Sequence, residues 1–108
     1  MEFTIREKQV AGAGHFLMVQ GRLDAVTAPQ LKSRLKGLVA EGHRQLVVDL
    51  VDVSFIDSSG LSALVSGFKT AREVGGTLKL TGFNEQTRLA LHLSRLDRVF
   101  EFYSDDAA

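Results

Sequence analysis

Residues 54–65 read SFIDSSGLSALV. One apolar run ends at Ile56, and another begins at Leu61. Between them Asp57-Ser58-Ser59-Gly60 places a carboxylate and two hydroxyls at a junction between two pieces of core. Two chemistries suit that junction. In the first, Asp57 or Ser58 caps the following helix, as Asp and Ser commonly do, and Gly60 permits the tight turn. In the second, the Ser58 hydroxyl accepts a phosphoryl group, which adds about −1.5 to −2 charges. The N–H groups of a first helical turn lack internal acceptors, so the spot is favourable for an anion. The helix dipole tolerates the added charge. Asp57 beside it sharpens the change by like-charge crowding.

Other site chemistries fit the residues poorly. A serine-hydrolase elbow needs G-x-S-x-G and a partnered His, whereas the string here is D-S-S-G-L. His15, His43 and His92 fall in a strand start, a turn and a helix, where structural or exposed roles are ordinary. No G-x-x-x-x-G-K-[ST] loop is present for a nucleotide, and the GAG at 12–14 carries little information. Asp49 and Asp52 invite a receiver-domain reading, in which an Asp after a buried strand carries the phosphate, but no acidic pair follows an early strand to hold the metal. Asp49 is expected to bond to a nearby loop and Asp52 to sit in a turn. No metal site, no cofactor and no catalytic residue is expected, so the domain is not read as an enzyme.

The elements that must position the junction follow from periodicity. Phe3 and Ile5 alternate with polar residues, and FLMVQGRL at 16–23 repeats a strand pattern after the flexible AGAG at 11–14. These make a hairpin. Thr27 is expected to cap a helix, with Gln30 at capping-box spacing and Pro29 in the first turn. Leu31, Leu35, Leu38 and Val39 form its apolar face, and Lys32, Lys36 and Glu41 point outward. Gly42 ends it. QLVVDLVDV at 45–53 has the continuous apolar content of a strand buried on both faces. Past the junction, Leu61, Leu64, Val65, Phe68 and Arg72 recur at helical spacing. Gly60, Ala63, Gly67 and Ala71 make a stripe of small residues open to another backbone or to a partner. That helix stops at Gly75-Gly76. TLKLTGF at 77–83 is the next strand. Asn84 caps a third helix carrying Leu89, Leu93 and Leu96, and VFEFY at 99–103 is the last strand.

The order β-β-α-β-α-β-α-β implies an α/β domain whose mixed sheet packs against helices. One domain spans residues 1–103, and 104–108 form a short acidic tail. At 108 residues, with 44% apolar and 24% charged side chains, the chain is long and apolar enough for its own core. Thirteen basic and thirteen acidic side chains cancel, which argues against nucleic acid or an anionic membrane as partner. No apolar run reaches the roughly 20 residues of a membrane span. The absence of Cys and of a signal-peptide pattern fits a cytoplasmic protein.

SFIDSSGLSALVSGFKTAREVGG, with GRLDAVTAPQLKSRL upstream and VVDLVDV between, resembles the STAS domain of bacterial anti-sigma-factor antagonists from Phe3 to about Tyr103. The resemblance implies a partner switch that controls transcription. The unphosphorylated antagonist binds an anti-sigma factor that is also a serine kinase, and so frees the sigma factor. Phosphorylation ends the binding, and a metal-dependent serine phosphatase resets the cycle. By position the acceptor is Ser58, flanked by Asp57, Ser59 and Gly60. Asp24 is similar to an acidic residue that lies near the phosphorylated site; read alone, it is a turn residue. Docking is expected on Ser58, Ser59, Ser62 and Ser66, with Asp24 beside them. A free domain is compatible with a monomer. The alternative within the same family is a STAS subunit of a lipid-transport ABC complex that is never phosphorylated. Two features depart from the family pattern. Arg22 stands where an acidic residue is common, and the terminal helix is expected to be short or absent.

Overall fold

The computed structural model describes residues 2–103; the acidic tail and any terminal helix lie outside the described residues. Alternation builds the first hairpin. Strand β1 (Thr4–Val10) pairs antiparallel with β2 (Gly14–Leu23), in register from Thr4 opposite Gln20 to Val10 opposite Gly14. Gly12 turns the chain with φ +79°, a conformation that suits glycine. Helix α1 (Ala28–Ala40) leads to β3 (Gln45–Ile56), helix α2 (Ser58–Glu73) to β4 (Thr77–Thr81), and helix α3 (Glu85–Leu93) to a 3-10 turn (Leu96–Arg98) and β5 (Glu101–Phe102).

The strands lie in the spatial order β1-β2-β3-β4-β5, and every pair after the first is parallel. Each crossover therefore steps one strand in the same direction, and a common right hand places all three helices on one face. The core agrees. Leu17, Val19, Leu46, Val48, Leu50, Leu78 and Leu80 from alternate strand positions form one cluster with Leu31, Leu35, Leu38, Leu64 and Leu91 from the helices. Val47 and Phe16 are buried outside that cluster, on the other side of the pleat. There Phe16 meets Tyr103 edge to face, with ring centroids 5.0 Å apart.

The small-residue stripe of α2 closes the core rather than welcoming a partner. A methyl group on Gly67 would stand 2.5 Å from Leu35 Cδ1, and Ala63 and Ala71 are buried. One on Gly60 would stand 2.6 Å from the Leu23 carbonyl oxygen and 2.8 Å from Ile56 Cγ1. Gly60 thus serves close approach of helix to strand and not the tight turn expected of it.

Five other expectations are corrected. Thr27 stands at the α1 N-cap position but caps nothing, because its backbone is already helical at φ −96°, ψ −24°. Its hydroxyl turns back instead, donating to the Arg22 carbonyl at 2.6 Å and accepting from Asp24 N at 3.0 Å. No capping box with Gln30 forms. On α3 the inner face belongs to Thr87 and Leu91, while Leu89 and Leu93 are exposed. Thr87 can be buried because Asn84 satisfies it in a reciprocal capping box. Strand β3 continues through Asp52 to Ile56, with irregular pairing to β2 at two places, so Asp52 is an exposed strand residue and not part of a turn. Asp49 accepts the Val51 N–H at 3.0 Å within its own strand, not from a loop. The last strand shortens to Glu101–Phe102, because the chain before it forms the 3-10 turn with Arg95 at φ +63°.

Candidate functional site

The junction is built by Asp57. Its backbone is extended, and its carboxylate accepts the N–H of Ser59 at 2.9 Å and of Gly60 at 3.1 Å. This is a full N-cap, usually worth about 1 kcal/mol. Asp57 N also donates to the Leu23 carbonyl at 3.3 Å, and the same oxygen occupies the space where a Cβ on residue 60 would stand. The end of β2 therefore seats the first turn of α2. Two of the first-turn N–H groups that would draw an external anion are already held by Asp57, a consequence of the capping reading that limits the anion-site expectation.

With Asp57 as cap, Ser58 is the first helical residue and is exposed. Among the described residues no hydrogen bond holds its hydroxyl, in contrast to Thr70 and Ser94, whose hydroxyls donate to carbonyls of their own helix or its end. The oxygen sits on a ridge between two grooves. One, of about 370 Å³, lies between the starts of α1 and α2 and is bounded by Ala25, Pro29, Lys32, Ser58, Ser59 and Ser62. The other, of about 540 Å³, runs along α2 toward the 3-10 turn, past Ser62, Val65, Ser66 and Lys69 to Ser94 and Leu96. Ser58, Ser59 and Ser62 line the first groove and Ser58, Ser62 and Ser66 the second, so the four serines share one side of α2. Sequence reasoning missed the opposing walls. Lys32 reads as a solvated lysine on α1, and only the shared sheet end that starts both helices places it across from Ser58.

Asp24 lies in the loop immediately before Ala25, which lines the first groove. Its carboxylate accepts the N–H groups of Val26 at 3.0 Å and Thr27 at 3.2 Å and faces Arg22 Nε at 3.4 Å. Partial burial pushes this carboxyl up, but the backbone N–H groups of Thr27 and Val26, Arg22 and the Thr27 hydroxyl together hold it below its usual value. Both readings of Asp24 meet here, since it ties the turn and stands in the loop that borders the site. Arg22 also stacks on Phe55, its guanidinium carbon 4.1 Å from the ring centroid. The departure at Arg22 is therefore an exposed cation that pairs with Asp24 and lies over Phe55.

The histidines stand elsewhere. His15 is buried and shares 2.8 Å between Nε2 and Glu7 Oε1, with the His43 ring 4.6 Å away. Arg34 donates to both oxygens of Glu7, at 2.6 and 2.8 Å. Arg34, more than burial, sets the Glu7 carboxyl, which falls from 4.5 to about 2. His92 is exposed beside Asp97 at 3.2 Å. Among the described residues no group of three His, Asp or Glu side chains is arranged to hold a metal ion, and no helix is long and apolar enough to cross a membrane.

With this geometry in hand, comparison with known proteins gives a consistent result. Residues 6–107 match the sequence profile of the STAS domain. An anti-sigma-B factor antagonist of Listeria monocytogenes is 32% identical over 85 residues, spanning 79% of this chain and 75% of its own. An anti-sigma-B factor antagonist of Bacillus subtilis is 38% identical over 68 residues, covering 63% and 62%. The crystal structure of an anti-sigma factor antagonist from Mycobacterium paratuberculosis superposes with a TM-score of 0.81 at 29% identity, over 97% of this chain and 88% of that one.

Proposed function

The chain belongs to the STAS domain family, and on that premise we propose that it is an anti-sigma-factor antagonist switched by phosphorylation of Ser58. The unphosphorylated protein binds an anti-sigma-factor serine kinase in the cytoplasm and so releases the sigma factor. Phosphate on Ser58 dissolves that complex, and a metal-dependent serine phosphatase restores the free hydroxyl. The domain itself supplies no catalysis; it presents one acceptor oxygen and a docking face that includes Ser58, Ser59, Ser62 and Ser66, with Asp24 at its border.

The observation that carries this reading is the state of Ser58: exposed, at the first position of α2 and on the ridge between two grooves. A kinase can reach an oxygen so placed. A buried phosphate dianion in a protein contact costs several kcal/mol unless it is paired, and about 1.4 kcal/mol already weakens binding tenfold. A subunit held permanently in a lipid-transport ABC complex needs no acceptor hydroxyl at this position, which favours the switch over that alternative.

Incubation with the anti-sigma-factor kinase and ATP tests the reading. Intact-protein mass spectrometry is expected to find a single added phosphate on the wild type and none on Ser58→Ala. Phosphate appearing on Ser58→Ala at the wild-type level would move the switch to another residue.

A further inference from the structure

We propose that Lys32 is the counter-charge of phosphorylated Ser58, its ammonium closing on the phosphoryl oxygens across the groove between α1 and α2. The inference rests on Ser58 as the phosphate acceptor but asks a separate question: where the charge goes once it is there. The helix end is largely spent. The Ser59 and Gly60 N–H groups already donate to the Asp57 carboxylate and the Leu61 N–H to the Asp57 carbonyl, which leaves the Ser58 N–H, and the Asp57 carboxylate repels a second anion. A cationic side chain is the stronger capture.

Lys32 is the sole charged residue lining the groove of about 370 Å³ that Ser58 borders. It is exposed and, among the described residues, makes no ion pair, whereas Arg22 and Arg34 are committed to Asp24 and Glu7. An ammonium on a flexible four-carbon stem can follow an oxygen that moves. Ser59 and Ser62 line the same groove and supply further donors. Lys69, by contrast, borders only the other groove, eleven residues along α2 from Ser58; at 1.5 Å rise per residue that is roughly 16 Å away along the helix.

The consequence is a reversal of sign rather than a simple addition of charge. Before phosphorylation the groove holds one positive charge. Afterwards the phosphate, with about −1.5 to −2, overwhelms it and occupies the ammonium. A partner group suited to the cationic groove then loses its contact and meets a net negative one.

The test installs phosphoserine at position 58 during translation, so it does not depend on any kinase. The second ionisation of the phosphate is followed by phosphorus NMR in the folded protein, in Lys32→Gln and in Lys36→Gln. Lys36 is the next outward lysine of α1 and does not line the groove. Loss of Lys32 is expected to raise the second phosphate pKa by roughly half a unit, since an opposite charge at close range favours the dianion and solvent moderates it. Loss of Lys36 is expected to leave it in place. Equal titration of wild type and Lys32→Gln, or an equal shift in Lys36→Gln, overturns the assignment. Failure of a kinase to label Ser58 bears on the proposed function alone and leaves this measurement standing.

Discussion

Two ends of the same sheet treat their polar groups in opposite ways. Near the start of β2, His15 and Arg34 both bind Glu7 across three elements, with Glu7 bonded on both oxygens. Past the end of β3, the Ser58 hydroxyl lies exposed above two grooves with no partner among the described residues. The first arrangement spends its hydrogen-bonding capacity inside the fold and ties β1 to α1. The second leaves that capacity for another molecule. Substitutions at the first end should lower stability and spare recognition, and those on the exposed face at the second should do the reverse.

The largest effect is expected where the exposed end is itself packed. Gly60→Val forces side-chain carbons against the Leu23 carbonyl oxygen, 2.6 Å from a Cβ position, and backbone cannot yield cheaply. A loss of about 3 kcal/mol or more in a denaturant titration is expected. Near-wild-type stability would show that the seat of α2 is looser than the contacts imply, and would blur the contrast.

At the committed end, Glu7→Gln should cost about 1–2 kcal/mol, because it removes a charged acceptor from a bidentate arginine pair. The effect is pH-dependent with a definite sign. Arg34 lowers the Glu7 carboxyl from 4.5 to about 2, against the opposing push of burial. Its contribution is therefore complete above the unfolded value near 4.5 and is lost as pH falls toward 2. The melting-temperature gap between wild type and Glu7→Gln should be constant near neutrality and close across that acid window. A gap that persists at pH 2 would contradict the ion-pair account.

A smaller loss, about 1 kcal/mol, is expected for Asp57→Ala by calorimetry, because it frees two N–H groups of the α2 cap. The smallest is expected for Ser58→Ala, within about 0.5 kcal/mol of wild type, as for other exposed positions without partners. If Ser58→Ala proves as costly as Asp57→Ala, its hydroxyl holds the fold and the two ends are not so different.

What could be read from the sequence divides along a related line. The element order and the Asp57-Ser58-Ser59-Gly60 junction are local: alternation, helical spacing and cap chemistry lie within a few residues of each other. Even so, local signals misled where tertiary contact decides. Thr27 looks like a cap, but Asp24 and Arg22 engage its hydroxyl first. Leu89 and Leu93 look like a core face, but α3 turns Thr87 and Leu91 inward because Asn84 anchors it to the carbonyls of Leu50 and Val53 on β3. Arg34 reaches Glu7 across 27 positions of sequence, and Lys32 faces Ser58 across a groove made by two helices. No periodicity encodes such meetings; they follow from the sheet order.

The most direct test is the affinity of the purified protein for the anti-sigma-factor kinase proposed as its partner, measured by calorimetry with Ser58 free and with phosphoserine installed there. Phosphorylation is expected to weaken binding at least tenfold, a change of about 1.4 kcal/mol or more, while circular dichroism and thermal stability stay close to the unmodified protein. Equal affinity of the two forms, with the fold intact, would contradict the account.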